Sequence, residues 1–182
     1  MNLPNKITMI RVILIPFFVF FMLTDFVPYS KIIAVAIFIV ASLTDTLDGY
    51  LARKYQLVSN FGKFMDPLAD KLLVCSALVC FVALPDNPMP AWVVIVIISR
   101  DFIISGFRLV ASDEGIVIAA SWWGKVKTVV QMLMSILLIL NFNGTVIDIV
   151  EYIFIYAALI LTVVSLIDYL WKNRKVLDDG NM

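Results

Sequence analysis

The chain contains no histidine, and only two of its 182 residues are cysteine. The first absence removes the side chain most used as a general base near neutral pH, and a favoured ligand of transition metals. The second leaves little room for sulfur chemistry. Cys75 and Cys80 lie five apart inside one apolar run, a spacing that suits neither a metal clip nor a short disulfide, and both read as small core residues. Charge is scarce as well, at 15% against roughly 25% in an ordinary soluble domain. What fills the space is apolar, 62% of the residues with a mean hydropathy of +0.99. Chemistry here must run on carboxylates, cations or hydroxyls, and the chain reads as resident in a membrane.

Six stretches have the length and apolar character of a bilayer-spanning helix: about 7–24, 30–52, 66–85, 90–111, 124–141 and 146–171. The expected fold is an all-α integral membrane protein of six transmembrane helices, formed by residues 1–182 as a single domain. Lys6 and Arg11 ahead of "VILIPFFVFFML" resemble the start of a signal peptide. No small-residue cleavage pattern follows, so the segment reads as a retained first helix. "LPDNPMPAW" and "NFNG" supply the proline, asparagine and glycine that turns require. No internal repeat or low-complexity segment is evident, and the tail "KNRKVLDDGNM" is frayed or a short helical extension.

Lysine and arginine in short loops set orientation. With the N-terminus inside, Lys6, Arg11, Arg53, Lys54, Lys63, Lys71, Lys125, Lys127, Lys172, Arg174 and Lys175 fall on the inner side, and Lys31 alone on the outer. Both termini are then cytoplasmic. Trp92, Trp122, Trp123, Tyr169 and Trp171 fall near span ends, as interfacial aromatics do. The zero net charge sums a basic inner face and acids gathered in one place, and no nucleic-acid partner is expected.

Those acids lie in "DTLDGYLARKYQLVSNFGKFMDPLADK". Asp45 and Asp48 are three apart and share a helix face, with Gly49 and Ala52 on the same stripe. Asp66 and Asp70 are four apart and share another. A short loop between antiparallel helices would bring the two faces together. Asp66-Pro67 also reads as an N-cap and first helical residue, which would put Gly62 in the loop instead of one turn before Asp66. Close carboxylates raise each other's pKa unless cations intervene. All-oxygen donors favour hard ions, Mg²⁺ or Mn²⁺, and two of them about 3.5–4 Å apart suit a clamp on a phosphoryl group. Gly49 and Ala52 leave room for a diphosphate, and the forked guanidinium of Arg53 suits its oxygens. The plainer alternative is a solvated loop in which the acids pair with Arg53, Lys54, Lys63 and Lys71. Ionisable groups within helix ends of a membrane chain are costly, which favours a functional role.

The spacing D-x2-D-G-x2-A-R-x8-G-x3-D-x3-D, filled by Asp45, Asp48, Gly49, Ala52, Arg53, Gly62, Asp66 and Asp70, resembles the CDP-alcohol phosphotransferase family at all eight positions. The resemblance implies a six-helix membrane enzyme with two divalent cations, Mg²⁺ or Mn²⁺, held by Asp45, Asp48, Asp66 and Asp70. It implies a CDP-linked donor cradled by Asp48, Gly49, Ala52, Arg53 and Gly62. Asp70 would also take the proton of the attacking hydroxyl, unless a metal lowers that hydroxyl's pKa enough alone.

The family divides by acceptor: glycerol 3-phosphate, inositol phosphate, serine, choline or ethanolamine, or a second lipid. Arg100 falls mid-span, where a cation costs about 2.5–3.5 kcal/mol. Asp101 beside it offers a purely structural neutralisation. Arg108 lies eight residues on, and "GKVKT" adds Lys125 and Lys127. So many cations suit a phosphorylated acceptor better than serine or choline. "NLPNKITMIR" and "SRDFIISGFRLVASDEGIVIAASWWGKVKT" are similar to bacterial members whose acceptor is glycerol 3-phosphate, in which Glu is more often found where Asp101 stands. That likeness implies a multi-pass, homodimeric enzyme of the bacterial plasma membrane, with its site at the cytoplasmic face. The donor is CDP-diacylglycerol, and Arg100, Arg108, Lys125 and Lys127 bind the phosphate of glycerol 3-phosphate. Thr8 and Arg11 would border the same cavity, with Thr8 equally readable as a helix-lining hydroxyl. The alternatives are a family member that uses phosphatidylglycerol as acceptor, an aspartate-rich membrane prenyltransferase, and an aspartate-lined channel. A prenyltransferase needs a second aspartate motif and a channel predicts internal repeats; neither is present.

Overall fold

The computed structural model describes residues 3–24, 26–54, 60–85, 87–113, 118–119, 121–142 and 144–174, except the side chains of 3–4, 45–54, 60–61, 63–64, 66–67 and 112–113. Its described residues are all-helical, with no strand. Six helices run α1 (Leu3–Leu23), α2 (Ser30–Lys54), α3 (Asn60–Ala83), α4 (Ala91–Asp113), α5 (Trp122–Leu140) and α6 (Thr145–Lys172). All six fall on the apolar stretches of the sequence. The largest difference is α3, which begins at Asn60 instead of 66. Hydropathy finds only the apolar part of a helix, and the first turns of α3, "NFGKFMD", are polar enough to escape it. Asp66 is therefore not an N-cap. Gly62, Asp66 and Asp70 follow one another at four-residue steps along one helix, and Pro67 is tolerated inside it.

The chain forms two compact units, the first comprising residues 1–87 and 135–142. Here α1, α2 and α3 pack on Phe18, Met22, Phe38, Leu78 and Phe81, all buried. Phe18 and Phe38 meet as tilted rings with centroids 5.9 Å apart. Ala34, Ala41, Ala69 and Ala77 are fully buried, small enough for close helix approach where lipid supplies no hydrophobic drive. The turn from α1 to α2 is tied by Lys31, whose Nζ donates to the Met22 carbonyl at 2.7 Å. That carbonyl is among the last four of α1, which have no partner within the helix, and the ammonium also complements the negative end of its dipole.

The second unit comprises residues 88–134 and 143–182, and holds α4, α6 and the first part of α5. Ser121 caps α5, its Oγ accepting from the Gly124 N–H at 3.1 Å. Between α5 and α6, Asn141 and Gly144 sit at φ 45° and 155°. These are conformations that asparagine and glycine tolerate, so "NFNG" makes the turn its composition suggests.

Burial runs opposite to that of a water-soluble domain. Large apolar side chains face outward along α1 (Ile10, Ile13, Phe17, Phe20) and α6 (Ile149, Ile153, Ile160, Ile167), while Arg11, Lys127, Thr162 and Ser165 are buried. Among the described residues, three helical segments are long and apolar enough to cross a membrane, Asn5–Leu23, Trp122–Leu140 and Thr145–Lys172, and Ser30–Thr44 adds a shorter apolar stretch. All four tryptophans sit at helix ends and are exposed. These are the marks of a membrane protein.

Candidate functional site

Within the second unit, α4 carries Arg100 and Asp101 at consecutive positions, which point about 100° apart around a helix. Arg100 turns to α6 and donates from Nε to Ser165 Oγ at 3.1 Å. Ser165 Oγ–H donates to the Thr162 carbonyl at 3.0 Å, so the serine is fixed as an acceptor for the guanidinium. Asp101 turns to α5 and receives Lys127 Nζ on both oxygens, at 2.6 and 2.8 Å. Arg100 Nη1 donates to the same carboxylate at 3.0 Å. One aspartate thus bridges two buried cations. A neutralising partner for Arg100 was the structural reading of Asp101. It serves that role, but for two cations at once.

Gly124, at the start of α5, allows that approach. A Cβ there would stand 3.3 Å from Arg100 Nη2 and 3.4 Å from Ser121 Oγ, close enough to displace the guanidinium by a few tenths of an ångström. Farther along α4, Arg108 lies with its guanidinium carbon 5.8 Å from the centre of the Tyr169 ring of α6, and Phe107 meets that ring edge-on at 5.7 Å. Arg100 and Arg108 therefore both face α6.

The other cations and the aspartates fare differently. Lys125 is exposed, about 200° around the helix from Lys127. Thr8 and Arg11 are buried on α1 in the first unit. Gly62 is buried on α3, and Asp70 is exposed, with Lys71 Nζ 3.6 Å from its Oδ2. Asp45, Asp48, Gly49, Ala52 and Arg53 lie in the last turns of α2, and Asp66 lies on α3; the side chains at these positions are outside the described residues.

Sequence reasoning passed over Ser165 and took Tyr169 for an interfacial aromatic, whereas it is buried against α4. The buried face of α6 is Glu151, Ile155, Ala158, Thr162, Ser165 and Tyr169. Four of these six positions are polar in an otherwise apolar helix, and that one-sided periodicity is the signal that could have found them.

These elements define a helical membrane protein with two cations and a carboxylate clustered between its helices. This chain belongs to the CDP-alcohol phosphatidyltransferase family, whose model matches residues 1–164. It is 44% identical to a CDP-diacylglycerol–glycerol-3-phosphate 3-phosphatidyltransferase of Bacillus subtilis, over 99% of each chain. It is 43% identical to the Haemophilus influenzae protein of that name, over 98% of this chain and 97% of the other. A probable phosphatidylglycerophosphate synthase of Mycobacterium tuberculosis is 38% identical over 92% of this chain and 79% of its own.

Proposed function

We propose that this protein transfers the phosphatidyl group of CDP-diacylglycerol to glycerol 3-phosphate, giving phosphatidylglycerol phosphate and CMP. The observation that carries the reading is the Arg100–Asp101–Lys127 cluster, in which two buried cationic donors gathered inside a membrane protein suit a small phosphorylated acceptor. The names of the relatives support it independently. The primary hydroxyl of the acceptor attacks the lipid-side phosphorus, the bond from that phosphorus to the CMP oxygen breaks, and the hydroxyl proton passes to the Asp70 carboxylate. Catalysis on this reading is positioning plus electrostatics, as is general for phosphoryl transfer.

Arg100, Arg108, Lys125 and Lys127 bind the acceptor phosphate, and Thr8 and Arg11 border the acceptor. Asp48, Gly49, Ala52, Arg53 and Gly62 hold the CDP part of the donor. Asp45, Asp48, Asp66 and Asp70 would hold two divalent cations. The donor set fits, since four carboxylates without histidine or thiolate select a hard ion, and Asp70 is exposed with only a 3.6 Å ion pair to Lys71. Bound Mg²⁺ or Mn²⁺ would supply charge neutralisation at the diphosphate. Six spans, cytoplasmic termini and an active site at the cytoplasmic face of a bacterial plasma membrane complete the reading. The chain works as one membrane domain and as a homodimer.

The test is acceptor discrimination. Membranes carrying the protein receive CDP-diacylglycerol, Mg²⁺ and either radiolabelled glycerol 3-phosphate or radiolabelled phosphatidylglycerol. Incorporation of label into a more anionic lipid from glycerol 3-phosphate supports the proposal. Conversion of phosphatidylglycerol alone rejects it in favour of a lipid acceptor.

A further inference from the structure

Two polar atoms near the Arg100 cluster have no hydrogen-bond partner among the described residues: Arg108 Nε and Tyr169 Oη, both shielded from solvent. Tyr169 is only 2% exposed. A buried hydroxyl or guanidinium N–H without a partner is costly, and such groups cluster where a ligand completes them. They lie close together, since the Arg108 guanidinium carbon is 5.8 Å from the Tyr169 ring centre. Both can donate, and a guanidinium can only donate. Two buried donors on facing helices, one of them on a permanent cation, suit an oxyanion.

We propose that Tyr169 is a substrate-binding residue. Its hydroxyl and Arg108 Nε–H donate to phosphate oxygens of the acceptor, so that α6 supplies part of the acceptor site. The inference rests on the glycerol 3-phosphate reading above and adds to it a residue from outside the cationic set. The ring has its own role. Held edge-on by Phe107 at 5.7 Å, it gives the Arg108 guanidinium a flat surface and limits its swing before substrate arrives. One turn up the same face of α6, Ser165 does the equivalent for Arg100.

Tyr169→Phe isolates the hydroxyl, because the ring, its contact with Phe107 and its place beside Arg108 all remain. A structural hydroxyl and a substrate-binding one predict opposite results. Removing an unsatisfied buried hydroxyl should leave the unliganded protein equally or more heat-stable. Losing a hydrogen bond to a charged phosphate should raise the KM for glycerol 3-phosphate about tenfold or more, with kcat within about twofold and the KM for CDP-diacylglycerol unchanged. Inorganic phosphate gives a readout independent of turnover: it should raise the melting temperature of the detergent-solubilised wild type, and that of Tyr169→Phe by less. An unchanged KM for glycerol 3-phosphate overturns the inference, as does a rise in the KM for the donor instead. So does an equal phosphate shift in the two proteins. If the wild type does not turn over glycerol 3-phosphate, the proposed function falls, while the phosphate shift still decides whether Tyr169 binds an oxyanion.

Discussion

Lys127→Met removes an ammonium that is 2% exposed and makes bonds of 2.6 and 2.8 Å to Asp101, while keeping most of the side chain's bulk. The cluster keeps the Arg100–Asp101 pair and loses one positive charge. Breaking a buried ion pair by removing one partner typically costs about 3–5 kcal/mol. Here Asp101 keeps Arg100 at 3.0 Å, so the expected loss of stability is smaller, about 1–2 kcal/mol. The effect on the acceptor should be larger. A phosphate about 4 Å from the lost charge forfeits about 4 kcal/mol of gross attraction at an effective dielectric of about 20. Of this, the net worth of a charged hydrogen bond, about 1.5–3 kcal/mol, remains after solvation is counted. The KM for glycerol 3-phosphate should therefore rise about 10- to 150-fold, with the KM for CDP-diacylglycerol unchanged. Initial rates of CMP release in mixed micelles, with each substrate varied in turn, measure both constants. An unchanged acceptor KM, or equal rises for both substrates, would refute the assignment. Asp101→Asn has the opposite electrostatic sign, leaving two cations without their carboxylate, and should destabilise the protein by about 3 kcal/mol or more.

Gly124→Ala should raise the acceptor KM several-fold by displacing Arg100 Nη2 from 3.3 Å, with unchanged or better heat stability because alanine is the stronger helix former. Asp70→Asn should lower kcat by about 10²-fold or more if the carboxylate takes the proton. Its melting temperature should barely change, since the side chain is 51% exposed and pairs with Lys71 only at 3.6 Å. An active Asp70→Asn variant removes the residue from catalysis. Lys31→Met should cost about 0.5–1 kcal/mol by uncapping the α1 carbonyl of Met22, with both KM values unaffected.

The helices were legible because a bilayer imposes length and polarity together on the apolar stretches. The start of α3 was not, since its first turns are polar and hydropathy does not reach back to Asn60. Arg100, Asp101 and Lys127 could be singled out as charges in apolar runs. That Asp101 serves both cations depends on which faces α4 and α5 present, and no spacing within one helix reveals it. Lys125 and Lys127 look equivalent in "GKVKT", and only the helix start at Trp122 separates the exposed one from the buried one. Ser165 and Tyr169 were hidden for a simpler reason. Hydroxyls are common in membrane helices, and their importance lies in the arginines they face.

The central claim is that metal-bound carboxylates and a cationic acceptor site act on one reaction. CMP release from CDP-diacylglycerol by the purified protein tests it most directly, with Mg²⁺ and glycerol 3-phosphate each supplied or withheld. Release only when both are present is the expected result. Release with EDTA, or at full rate without glycerol 3-phosphate, would contradict it.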